Sequence, residues 1–322
     1  MPLRTFLQAI RDAEYEEMKR DPRVFLMGED VRCDFFGTSS GLIDAFGLDR
    51  VRDTPIAEAG ITGVAAGAAI VGMRPIVDYT MSTFLYPAMD QILSIVSKSR
   101  YLYGGQAKVP VVLRSNMIYG NGNAAQHSDR PYAMFMHNPG LKIMVPSSAY
   151  EMKGLMKTAI RDDNPVLSFE DVQLWSSKSE IPEAEYLIPF GVADIKRRGT
   201  DCTVVGIGAM VPLSLAAADE LARDRISAEV IDIRTLSPLD TSTILESVTR
   251  TGRLVIVDVG FGRCSAASEI AAVVADEGFW DLRAPIVRVT TADTHIPFSP
   301  AIEKGLYPTR EKIVAAVTRT LR

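Results

Sequence analysis

Cysteine is scarce in this sequence: Cys33, Cys202 and Cys264 are an odd number, widely separated and without a CxxC pair. That argues against a disulfide framework or a zinc site, and it fits a reducing cytosol. No apolar run approaches the ~20 residues needed to span a membrane. The opening Met-Pro-Leu-Arg-Thr-Phe-Leu lacks the apolar core of a signal peptide, so a cytoplasmic protein is expected. Basic clusters are missing as well. The formal net charge is −5, with acids and bases interspersed, which argues against a nucleic-acid partner. Histidine is limited to His127, His137 and His295, so imidazole chemistry has few candidates.

With 322 residues, 47% hydrophobic and 23% charged, the chain is long enough for two ordinary globular domains. Apolar positions predict a surface helix over 5–20, a buried strand over 24–27, a loop over 31–40 and a short helix over 41–46. A helix starting at Glu58 follows, then a strand over 75–79, a helix over 84–99 and a strand over 109–114. Beyond a Gly/Asn-rich loop at 119–123 come a strand over 141–145, a helix over 149–161 and a strand over 166–169. Residues 172–190 break this rhythm, with Pro182 and a run of serines. The alternation then restarts: strands over 202–207, 228–233, 254–258 and 285–290, helices over 213–223, 241–250, 265–276 and 309–321. This alternation specifies an α/β fold of two domains, 1–175 and 191–322, joined by a linker over 176–190. Each is a mostly parallel sheet flanked by helices.

The chain is organised around Asp53 to Gln91. Glu58 opens a segment of small residues punctuated by Gly60, Gly63, Gly67 and Gly72, which lets a helix lie close to a neighbour or ligand. Read from spacing alone, Glu58 is a first-turn acid favoured by the helix dipole. Phe84, with Ala88, Ile92 and Ile95 at helical spacing, reads as a core residue, and His127 as an exposed loop histidine. Gly206-Ile-Gly208 follows a strand and opens a helix, but Val211 stands where a dinucleotide fingerprint has a small residue, so a tight turn is the simpler reading.

Linked motifs shift that balance. Asp-Thr-Pro-Ile-Ala-Glu (53–58), Gly-Met-Arg-Pro-Ile-Val-Asp (72–78), Asp-Gln-Ile (90–92), Tyr-Gly-Gly-Gln (103–106) and Ala-Gln-His-Ser (125–128) occur in one order. Pro-Gly-Leu-Lys-Ile (139–143), Lys-Gly-Leu (153–155) and Ala-Ile-Arg-Asp-Asp-Asn-Pro-Val (159–166) continue it. Over essentially its whole length the chain resembles the beta subunit of the thiamine-diphosphate-dependent E1 component of 2-oxoacid dehydrogenase complexes. Pyruvate, branched-chain 2-oxoacid and acetoin dehydrogenases share that subunit type. The resemblance implies a transketolase-like pyrimidine-binding domain followed by a transketolase C-terminal-type domain.

It further implies that Glu58 hydrogen-bonds the pyrimidine N1′ of the cofactor, within an apolar setting of Ile56, Ala57 and glycines that raises its pKa. Phe84 matches the aromatic residue on which the pyrimidine stacks, with Ile56 nearby. His127 matches an active-site histidine serving proton or acyl transfer. Some relatives bind potassium at the positions of Val111, Ala159, Asp162 and Asn164, although helix capping also explains the last three. The Gly-Asp-Gly and downstream Asn-Asn segments that hold Mg²⁺ and diphosphate are lacking. The resemblance therefore assigns Mg²⁺ and diphosphate mainly to an alpha subunit in an α2β2 tetramer, with lipoyl acyltransferase E2 as a further partner.

The implied reaction is cleavage of a short 2-oxoacid or acyloin with reductive acylation of a lipoyl group. Thr80-Met81-Ser82-Thr83 replaces the aromatic or acidic residues usual before Phe84. Val259 stands where many relatives carry an acid. Arg263-Cys264-Ser265 and Pro297-Phe298-Ser299-Pro300 are nearer the acetoin-type branch. A thiamine-diphosphate ketol-transferase subunit and a nucleotide-binding oxidoreductase subunit remain the alternatives.

Overall fold

A computed structural model describes residues 1–322, which divide into two compact units: 1–118 with 134–190, and 119–133 with 191–322. The first unit carries β1 (Leu3–Thr5), β2 (Val24–Gly28), β3 (Val51–Asp53), β4 (Arg74–Met81), β5 (Val112–Met117), β6 (Lys142–Met144), β7 (Val166–Asp171) and β8 (Lys178–Glu180). Six of these form a parallel array in the order β6-β7-β5-β4-β2-β3. Residues of β2, β5 and β7 are buried throughout, as a parallel sheet covered on both faces requires. The helix Phe6–Arg20 begins with a capping box between Thr5 and Gln8 and packs against the helix Ala149–Arg161.

Several stretches of the first unit depart from the sequence expectation. The single helix expected over 84–99 is instead a 3₁₀ segment, Ser82–Ala88, a π segment, Gln91–Val96, and a short helix, Ser99–Leu102. Pro87, inside the first segment, has no N–H to give a regular α-helix. The strand expected over 109–114 runs over 112–117, because the buried face continues through Ser115 and Asn116. Within 176–190, β8 pairs antiparallel with β1, and Tyr186 stacks on Tyr150 with ring centroids 4.6 Å apart.

The second unit contains β9 (Asp194–Arg197), β10 (Cys202–Gly206), β11 (Ala228–Asp232), β12 (Thr235–Ser237), β13 (Leu254–Phe261) and β14 (Val287–Thr291). Its five-stranded sheet runs β14-β13-β10-β11-β9, parallel except for β9. At the end of β10 a Cβ on Gly206 would sit 3.0 Å from Val211, and Gly208 has φ +56°, so 206–211 is a tight strand-to-helix turn.

Candidate functional site

Glu58 is the first residue of the helix Glu58–Ile70. Ile61, Thr62, Ala65, Ala66 and Ala69 form its buried face, while Gly60, Gly63 and Gly67 are exposed on the other. A Cβ at Gly63 or Gly67 would meet nothing within 4 Å. Thr62 ties the first turn to β4: its hydroxyl donates to the Glu58 carbonyl (2.6 Å) and lies 2.5 Å from the Tyr79 hydroxyl. Burial pushes the Tyr79 phenol well above its ordinary value. Across the strand ends, burial and then the charge of Glu58 raise the carboxyl of Glu29. The enclosure expected around Glu58 is not completed by this unit. Ile56 is 81% exposed, Ala57 is exposed and Glu58 is half-buried. The physical reason is the stripe of glycines on the helix's outer face, where Val64 is the one large side chain, 61% exposed, and little else can cover a ligand.

Phe84, half-buried on the 3₁₀ segment, belongs to the same unit, and that segment packs against the Glu58 helix. A device that the sequence reading missed aims it. Thr80 adopts φ +65°, the pairing of β4 with β5 shifts register between Asp78 and Met81, and both peptide groups of Thr80 are held. Its N–H donates to Asp78 Oδ1 (2.8 Å) and its carbonyl accepts from Asn116 Nδ2 (2.6 Å). Asp78 is anchored in turn by Arg114, which is wholly buried and also binds Glu14 (2.8 Å) and Glu170 (2.9 and 2.8 Å). One guanidinium thus faces three carboxyl groups. Burial raises Glu14 to about 8 against the lowering effect of Arg114, so it is mostly protonated at neutral pH. An arginine directly after the apolar run Val111-Val112-Leu113 was the available signal, since an interior cation requires partners.

His127 lies in the second unit, at the end of the short helix Ala124–His127, and is half-buried. Its loop is pinned at both ends. Glu303 accepts from the Gly120 N–H (2.6 Å), the Gly122 N–H (2.8 Å) and the Tyr307 hydroxyl (2.5 Å). Burial acts to raise the Glu303 carboxyl, but these three donors together hold it below its usual value. On the other side Arg130 donates to the Val259 carbonyl (3.1 Å) and lies over the rings of Tyr119, Phe261 and Tyr307, while Tyr132 bonds Asp258. His137 is exposed.

The residues matched to a potassium site all lie in the first unit, and their oxygens already carry partners. The Val111 carbonyl accepts from Val166 and the Ala159 carbonyl from Asp162. The Asp162 carbonyl accepts from Arg74 (2.5 Å), and its carboxylate bonds Lys142 and Asn164. Arg74 also takes the Ile160 carbonyl (2.8 Å), so two side-chain cations serve this helix C-terminus. The chain contains no group of three or more His, Cys, Asp or Glu side chains arranged to hold a metal ion. No helix is long and apolar enough to cross a membrane.

This architecture, a parallel sheet flanked by a glycine-faced helix that opens on a carboxylate and by a 3₁₀ segment that carries an aromatic ring, followed by a second α/β unit, is of the transketolase class. The family described as "Transketolase, pyrimidine binding domain" matches residues 4–176, and "Transketolase, C-terminal domain" matches 191–313. A solved split-gene transketolase, described as an inactive beta4 tetramer, superposes with TM-score 0.81 at 24% identity, covering 98% of each chain. Among characterised relatives, the pyruvate dehydrogenase E1 component subunit beta of Rickettsia felis is 45% identical, covering 98% of this chain and 97% of its own. The acetoin:2,6-dichlorophenolindophenol oxidoreductase subunit beta of Bacillus subtilis is 43% identical, covering 97% of this chain and 96% of its own. The 2-oxoisovalerate dehydrogenase subunit beta of the same organism is 42% identical, covering 98% of both. The chain belongs to the family of E1 beta subunits of thiamine-diphosphate-dependent 2-oxoacid dehydrogenases.

Proposed function

We propose that this chain supplies the pyrimidine-binding half of an E1 active site that cleaves a short 2-oxoacid or acetoin and reductively acylates a lipoyl group. The observation that carries this reading is the half-buried carboxylate of Glu58 beside the exposed Ile56, at the start of a helix whose outer face is lined by Gly60, Gly63 and Gly67 around an exposed Val64. A donor set of one carboxyl group, one aliphatic and one aromatic side chain fits an aminopyrimidine. It offers nothing to a diphosphate. When bound, thiamine diphosphate supplies the carbanion-stabilising chemistry of the reaction. Glu58 holds a proton at the pyrimidine N1′, Ile56 shields that hydrogen bond from water, and the Phe84 ring stacks against the pyrimidine. His127 moves a proton or orients the acyl acceptor.

Residues 1–175 and 191–322 act as the two functional domains, joined through 176–190. Mg²⁺ and the diphosphate belong to an alpha subunit in a cytoplasmic α2β2 assembly, with the lipoyl acyltransferase E2 as the further partner. A potassium ion at Val111, Ala159, Asp162 and Asn164 belongs to the same reading, and it would share oxygens that Arg74 and Lys142 already engage. The test is to co-produce this chain with its alpha subunit and assay acceptor reduction driven by pyruvate, branched-chain 2-oxoacids or acetoin. Activity with any of these, lost in Glu58→Ala, supports the reading. Ketol transfer between sugar phosphates without acceptor reduction supports a ketol-transferase instead.

A further inference from the structure

In the second unit a groove of about 400 Å³ runs along β14, the outermost strand of its sheet. One wall is the strand edge from Val287 to Thr290, which no other strand covers. The opposite wall is the helix Arg310–Thr320, and the bond from the Ala292 N–H to the Leu306 carbonyl closes one end. Three cations line the groove, Arg288, Lys312 and Arg319, and all three are exposed. No carboxylate lines it. Arg288 donates to the Gly262 carbonyl and Ser268, and Lys312 to the carbonyls of Gly305 and Tyr307. None of the three makes an ion pair. In a chain of net charge −5 this is a local concentration of uncompensated positive charge.

The spacing selects the ligand. Lys312, Ala315, Ala316 and Arg319 stand at i, i+3, i+4 and i+7, so one helix face presents a cation at each end of a smooth alanine floor. Seven residues of helix place the Cα atoms of Lys312 and Arg319 about 10 Å apart along the axis. With Arg288 on the strand, the cations are spread along the groove. An extended polypeptide rises about 3.3 Å per residue, so about three residues cover the span, and its backbone can pair with the open strand edge. We propose that this groove is a docking site for an extended, acidic segment of a partner protein. The segment adds to β14 as a further strand and sets its carboxylates against Arg288, Lys312 and Arg319.

The test uses the full chain and fluorescence anisotropy with labelled peptides of alternating Glu and Val, against matched peptides of Lys and Val. The acidic peptide is expected to bind, more weakly as salt is raised, and the Lys peptide not to bind. Arg319→Glu, at an exposed side chain without a hydrogen-bond partner, is expected to weaken binding about tenfold or more. Arg288→Glu is the second variant. Equal binding of the acidic peptide by wild type and both variants would overturn the proposal. So would binding of inorganic phosphate or a nucleotide in preference to the peptide, which would make this a small-anion site. Self-association abolished by Arg319→Glu would overturn it too, by assigning the groove to a second copy.

Discussion

Glu14 gives the sharpest stability prediction. It sits wholly buried beneath Arg114, and burial raises its carboxyl from the ordinary 4.5 to about 8. A raised carboxyl pKa stabilises the fold fully below pH 4.5. That contribution declines as pH climbs towards 8, because the unfolded chain releases a proton that the folded chain retains. Between pH 5 and 8, where the unfolded carboxyl is ionised and the folded one largely is not, this amounts to about 3–4 kcal/mol. Glu14→Gln keeps an oxygen for Arg114 and cannot ionise, so it removes the decline. Urea denaturation at pH 5, 6, 7 and 8 should find the variant gaining on wild type by about 1 kcal/mol per pH unit, least in the last step. A gap that stays constant, or that widens in favour of wild type as pH rises, would refute a protonated Glu14 in the Arg114 cluster.

Removing the shared cation itself, in Arg114→Met, leaves three carboxyl groups unpaired and should cost about 3–5 kcal/mol by the same denaturation assay. Asn116→Ala frees the Thr80 carbonyl and should weaken thiamine diphosphate binding by the assembled enzyme while leaving Tm within a few degrees. Phe84→Ala removes a stacking contact worth about 0.5–1.5 kcal/mol, so cofactor Kd should rise about 2–13-fold in calorimetric titration. Gly122→Ala forces a side chain into φ +72° and to 3.0 Å from the Phe298 carbonyl. It should lower turnover through the His127 loop and shift the pH profile of kcat.

Much of the architecture was legible because parallel α/β units advertise themselves. Wholly apolar strands such as Val24–Met27 alternate with amphipathic helices such as Ala149–Arg161, and both fall where periodicity placed them. Family membership was legible through ordered motifs, each uninformative by itself. What escaped was set by tertiary contacts. Pro87 interrupts an apparent helix, which is replaced by 3₁₀ and π segments with Ile92 and Val96 buried. Strand β9 has four half-buried residues without strict alternation. The bulge at Thr80 depends on Asp78, Asn116 and Arg114, which are scattered over 39 residues and converge only in the sheet. The covered setting expected of Glu58 failed for a local reason: glycines permit close approach by a ligand or another subunit, and they bury nothing themselves.

The most direct test of the central claim is calorimetric titration of thiamine diphosphate with Mg²⁺ into this chain alone, into its mixture with the alpha subunit, and into that mixture carrying Glu58→Ala. Binding by the mixture alone, abolished by the substitution, is the predicted result. Tight binding by the isolated chain, or unchanged binding by the Glu58→Ala mixture, would contradict an active site built around Glu58 and completed by a partner.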